Sequence, residues 1–268
     1  MNGTKVEKLK NLVSLFVRID TQQKTQIFGP YLWSLFVCMI YGFSFKAALL
    51  GKSVSLGKHY LDFPLFLVTG LFLIRLVLPS MKVFHNPFEA LTTNDLLQWI
   101  LVSPTSLWEF FLAGGLWKFW LAITEAVSIL IFSKIFIGTP IRPFLNPSIL
   151  IALVLMICAY AGIGMMLSAS ALTLKRGSFL FPLIHQCSLA LGGAFFPVFL
   201  FPKPMFLLSQ CLPMTNALQI MRLSLSGASF SEEMAAIGIL AGMALLFLPV
   251  GFLCLKASIA WCRKNGKF

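Results

Sequence analysis

The chain has 268 residues, of which 58% are hydrophobic and only 11% charged, and its mean hydropathy is +0.88. Those values exclude a water-soluble globular domain and place the chain among polytopic membrane proteins. A net charge of +12 would suggest nucleic acid in a soluble protein, but here the basic residues sit between apolar runs and near the termini, where they act as topology signals and contacts to anionic lipid headgroups.

Residues 5–26 come first. Leu9, Leu12, Val13, Phe16, Val17 and Asp20 fall at helical spacing among lysines and Arg18, which predicts an amphipathic helix lying in the membrane interface. The start of the chain lacks the apolar core and small-residue cleavage site of a signal peptide, so targeting is expected to rest with the first span.

A bilayer core of about 30 Å needs about 20 helical residues to cross. Six intervals are predicted to span: 27–50, 63–84, 107–137, 146–172, 178–196 and 234–259. The expected fold is therefore all-α and polytopic, a single transmembrane domain over residues 1–268. On the fourth span, Gly162, Gly164, Ser168 and Ala169 predict close helix packing.

Between the second and third spans lies the polar stretch His85 to Thr105. Asn86-Pro87 signals a turn and helix start, Thr93 or Asn94 can cap a second short helix, and Ser103-Pro104 stops it. Ionisable residues inside spans are costly, which marks Arg75, Lys118 and Glu125 as candidates either for the transport pathway or for a structural ion pair between the second and third spans.

The stretch 197–227 is too apolar for an aqueous loop, yet Pro197, Pro202, Pro204 and Pro213 break it too often for one spanning helix. It reads as a segment that enters the membrane and turns back, a hairpin of two short helices around Phe199 to Leu212 that caps a pathway at its outer mouth. Phe196, Pro197, Pro202 and Pro213 are its candidate gate residues; the glycines and prolines of the segment are expected to set backbone shape and gating rather than contact substrate.

With the N-terminus inside, the cytoplasmic side collects Lys5, Lys8, Lys10, Arg18, Lys24, Lys82, Lys175, Arg176, Lys256, Arg263, Lys264 and Lys267. The other side receives Lys46, Lys52, Lys58, Lys134, Arg142, Lys203 and Arg222. This bias predicts both termini in the cytoplasm and the broken segment outside.

The six cysteines and three histidines are scattered singly, and the nine acids are dispersed without paired spacing. No metal, catalytic or cofactor-binding site is predicted from them. The chain also has no Gly-x-x-x-x-Gly-Lys-Ser/Thr loop, so any ATP would be bound and hydrolysed by a separate subunit.

The run Leu101-Val102-Ser103-Pro104-Thr105-Ser106-Leu107-Trp108-Glu109 is followed by Gly192-Gly193-Ala194-Phe195-Phe196-Pro197-Val198. After these comes Leu212-Pro213-Met214-Thr215-Asn216-Ala217-Leu218, with Arg222 and Gly227. In order and spacing this set resembles the type-2 ABC transporter permease family over nearly the whole chain. The resemblance implies two paired six-span subunits, identical or related, each with an interfacial N-terminal helix, a cytoplasmic coupling helix and a re-entrant hairpin before the sixth span.

It further implies a multi-pass protein of the bacterial cytoplasmic (inner) membrane, served by a nucleotide-binding partner that carries ATP and Mg. The coupling helix maps to 87–98, with Pro87, Phe88, Glu89, Ala90, Leu91, Asn94 and Asp95 facing that partner and Lys175 and Arg176 as a second contact. Family members often carry an acid and a Gly-Thr just before the Ser-Pro element; this chain has Asp95-Leu96-Leu97-Gln98, so Glu89 or Asp95 would stand in. The expected function is ATP-driven export of an amphipathic, lipid-linked or drug-like substrate. The alternatives are an ion-coupled secondary transporter, for which two homologous halves are not apparent, and a lipid-modifying membrane enzyme, which generally needs clustered His, Asp or Glu.

Overall fold

Long apolar runs, cut at glycine, proline and polar positions, set the elements of the chain. The computed structural model describes residues 7, 10–18, 24–49, 53–56, 59–83, 107–139, 142–173 and 179–264. Helix α1 covers 10–18 and α2 covers Lys24–Leu49. Strands β1 (Ser53–Leu56) and β2 (His59–Asp62) pair antiparallel, with Val54 opposite Leu61, a small hairpin that the helical patterning did not anticipate.

Then follow α3 (Phe63–Lys82), α4 (Leu107–Phe136), a 3-10 turn at Arg142–Leu145 and α5 (Pro147–Thr173). Helix α6 (Leu180–Leu191) leads to a 3-10 turn at Val198–Leu200, then α7 (Lys203–Gln210), α8 (Pro213–Leu225) and α9 (Phe230–Lys264).

Among the described residues, four helices are long and apolar enough to cross a membrane: Phe63–Lys82, Ala113–Phe136, Pro147–Ala171 and Phe230–Trp261. They fall on the second, third, fourth and sixth predicted spans. Helix α2 has 26 residues, and its stretch Phe28–Ile40 is apolar. Helix α6 has only 12 residues, short of the roughly 20 that a crossing needs. Its helix stops at Gly192 rather than at Phe196, because Gly193 takes φ 79°, a backbone that side-chain-bearing residues avoid.

Helix α3 is the centre of the bundle: 61% of its apolar window is buried, against 17% for α9. In lipid, apolar surface gives helices no reason to associate, so close backbone approach carries the packing. The small residues of α5 provide it. A Cβ on Gly162 would overlap the main chain of Phe247 and Leu248 in α9, one on Gly251 would strike Gly162, and one on Gly164 would strike the carbonyl of Met81 in α3. The Ser258 hydroxyl adds a 3.0 Å bond to the carbonyl of Ala169.

Helices α2 and α4 run in the same direction, since Tyr31 meets Thr124 at 2.6 Å and Cys38 meets the Ile129 carbonyl seven residues later on α2. One end of the bundle gathers the β hairpin, the turn before α5 and the α8–α9 connection. There His59 Nε2 lies 2.9 Å from Glu232 Oε2, and the Asn146 amide donates to Ser224 Oγ at 2.6 Å.

Candidate functional site

The broken segment after α6 folds as two short helices joined by a tight turn. Pro202 and Pro213 both help to start helices. Pro202 is the residue before α7, and Pro213 occupies the first turn of α8, where a missing N–H leaves no bond unmade. Asn216 closes the turn between them, its amide donating to the carbonyls of Gln210 at 3.1 Å and Leu212 at 3.4 Å. The pair thus reaches Leu225, later than the Phe199 to Leu212 hairpin read from the prolines, because Pro213 opens a helix instead of ending one.

Helix α8 is held from below by Tyr160 of α5. That phenol is fully buried, and its hydroxyl donates to Ser188 Oγ of α6 at 3.1 Å and contacts the main chain of Met214. At its other end α8 is held by Arg222, which is 4% exposed. Its Nε donates to Thr69 Oγ1 at 3.2 Å and its Nη1 to the Gly193 carbonyl at 2.8 Å. Its Nη2 donates to the carbonyls of Phe66 at 3.1 Å and Ala194 at 3.2 Å. The guanidinium also lies 3.4 Å from the centroid of the Phe66 ring, within cation–π range.

This clamp requires α3 and the Gly193-Ala194 turn to touch. Gly70 permits the contact, since a Cβ there would overlap the Ala194 carbonyl. Thr69 completes the network by donating its hydroxyl to the Phe66 carbonyl at 2.7 Å while accepting from Arg222.

Beside the clamp lies a cavity of about 610 Å³, bounded by Phe66 of α3, the turn around Pro197 to Phe199, α7, α8 and the start of α9. Its lining is mostly apolar, with Gln210, Thr215, Gln219 and Arg222 as the polar exceptions. The Thr215 hydroxyl is buried and has no partner among the described residues.

Of the four predicted gate residues, Pro197 lines this cavity. Phe196 is exposed, while Pro202 and Pro213 shape the two helices. Arg75 and Glu125 come together, Nη1 to Oε2 at 3.9 Å, bridging α3 to α4, and Lys118 lies within electrostatic reach of the same carboxylate. None of the three lines the cavity. The predicted coupling residues Pro87, Phe88, Glu89, Ala90, Leu91, Asn94 and Asp95, and the pair Lys175 and Arg176, lie outside the described residues.

Arg222 is the residue whose role the sequence reading missed: counted there as an outer topology charge, it is buried in the site. The signal available was its place as the lone charge in the helix after Leu212-Pro213, away from any solvated charge run.

The family model for the ABC-2 type transporter matches residues 10–226. Among curated proteins none matches the chain.

Proposed function

The chain belongs to the ABC-2 type transporter family, and we propose that it is the permease of an ATP-driven exporter moving an amphipathic, lipid-linked or drug-like substrate outward across the cytoplasmic membrane. As a multi-pass membrane protein of this family it is a permease component, with ATP hydrolysis assigned to a separate subunit. The observation that supports a permease with a re-entrant gate for an apolar substrate is the α7–α8 pair, two helices too short to cross that sit at one end of the bundle against a largely apolar cavity.

In this reading the chain crosses the membrane six times, α2 and α6 included, with both termini and residues 84–106 in the cytoplasm. The α7–α8 pair then re-enters from outside. Helix α3 links the two ends. It runs into the segment that holds Pro87 to Asp95, and near its start Phe66 and Thr69 grip Arg222 of α8. Closure of two nucleotide-binding partners around ATP and Mg would push on residues 87–98, with Lys175 and Arg176 as a second contact. A rigid α3 would carry that push to the outer pair and alternate access to the pathway. Two copies of the permease, or this chain and a related one, would flank the substrate path.

Inverted membrane vesicles from cells expressing the chain with its partner test this. ATP should drive accumulation of a fluorescent cationic or neutral amphiphile, and the Glu89→Gln/Asp95→Asn variant should reduce it several-fold. Accumulation driven by an ion gradient without ATP would instead establish the secondary-transporter reading.

A further inference from the structure

We infer that the cavity beside Arg222 is a binding site for a single-chain anionic amphiphile, an acyl chain ending in a carboxylate, seated with its charge toward the guanidinium and its tail along α7 and α9. The proposal goes beyond export. It rests on that reading only in placing the cavity at the outer membrane face.

The charge is the first reason. Arg222 is 4% exposed, and among the described residues its partners are one hydroxyl, three carbonyls and a ring, with no carboxylate. A guanidinium has five N–H donors and is always charged. The four bonds take at most four of those donors, so one donor is left over, and the positive charge on the wall of this mostly apolar cavity meets dipoles and a ring but, among the described residues, no anion. A buried charge is costly until an opposite charge meets it, and a carboxylate or phosphate is the group that matches the guanidinium fork.

The cavity's size and lining are the second reason. About 610 Å³ falls within the range of roughly 300–1,000 Å³ that encloses one small ligand, which admits one chain with its headgroup rather than a two-chain phospholipid. The wall offers Phe66, Phe206, Leu218 and Ile239 to a hydrocarbon tail. Gln219 stands one turn before Arg222 on the same helix and suits the remaining oxygen of a carboxylate.

The test measures binding alone, without nucleotide. Purified protein in a sugar-headgroup detergent is titrated with radiolabelled palmitate, hexadecanol and phosphatidylglycerol. Palmitate should bind one molecule per chain and at least about tenfold tighter than hexadecanol, the margin of a charge-assisted hydrogen bond. Arg222→Gln should erase that preference. Because Arg222 also holds α8, a second variant is needed: Ala235→Trp fills the cavity from an exposed wall position and should weaken palmitate at least about tenfold while the protein stays folded. Equal binding of palmitate and hexadecanol, tighter binding of phosphatidylglycerol, or palmitate binding unchanged in Ala235→Trp would each overturn the assignment. Palmitate binding in a protein that proves to couple to no ATPase would leave this site standing and remove the exporter reading.

Discussion

The Nη1 of Arg222 donates to the main-chain oxygen of Gly193 at 2.8 Å, a bond that joins α8 to the break after α6, 29 residues earlier in the chain. With the bonds to Phe66, Thr69 and Ala194, one side chain fixes three segments to each other. Replacing Arg222 by methionine keeps the apolar stem and removes every donor. Each carbonyl left without a partner costs about 1–3 kcal/mol. Arg222→Met should therefore lower the thermal unfolding midpoint of the purified protein clearly, and Arg222→Lys, with a point charge in place of a planar fork, should recover only part of the loss. An unchanged midpoint in Arg222→Met would show that the clamp does not hold the fold.

Helices α5 and α9 cross where glycine allows it, which makes their glycines unequal. Gly162→Ala places a Cβ on the main chain of Phe247, so backbone must move, and overpacking of this kind costs about 1–3 kcal/mol. Gly242, on the same α9, has nothing within 4 Å of an added Cβ. Gly242→Ala should be neutral or stabilising by up to about 1 kcal/mol. Thermal unfolding of the two variants side by side distinguishes packing from a general intolerance of change in α9.

Arg75 and Glu125 are expected to act as a structural tie between α3 and α4 rather than as pathway residues, since they pair with each other and stand away from the cavity. Glu125→Gln leaves Arg75 without its partner and should destabilise, while Arg75→Gln/Glu125→Gln should recover much of the loss. A double-mutant cycle on unfolding should return a coupling of about 0.5–3 kcal/mol. Loss of transport in Arg75→Gln with full stability would make the arginine a pathway residue instead.

The hairpin lies at one end of the bundle and the C-terminal part of α9 at the other, so labelling both ends tests the proposed orientation. Tyr60 is 68% exposed on β2, next to the His59–Glu232 contact, and Lys264 ends α9 on an exposed face. In a cysteine-free background, Tyr60→Cys should react with a membrane-impermeant maleimide in intact cells. Lys264→Cys should react only after the membrane is opened. The reverse pattern would invert the orientation.

Much of the bundle was legible because crossing a bilayer demands a long apolar run, which composition alone reveals. The predicted intervals 63–84, 107–137 and 146–172 match α3, α4 and α5 to within two residues. The last helix begins earlier than its interval because Glu232 and Glu233 fall in its first turn, where acids favour a helix N-terminus, although a hydropathy count stops before them. Close packing at the small residues of α5 was also readable from their type, although Gly162 meets α9 and Gly164 meets α3, on different faces of the helix. What was not readable depends on contacts between distant segments. Gly193 ends α6 through its backbone angle, and Arg222 is buried because four acceptors from 66 to 194 converge on it. The paired glycines at 192–193 and the lone charge in α8 mark both places in the sequence, but the partners that converge there leave no mark within a local window.

The most direct test of the permease reading is ATP hydrolysis by the complex. The chain is affinity-tagged, purified from membranes of cells that also express the nucleotide-binding partner, and assayed with and without substitutions in 87–98. The partner should co-purify in equal amount, and its hydrolysis should depend on this chain and fall several-fold in Glu89→Gln/Asp95→Asn. A pure, folded chain that captures no ATPase, or a partner whose hydrolysis is the same whether or not this chain is present, would contradict the reading.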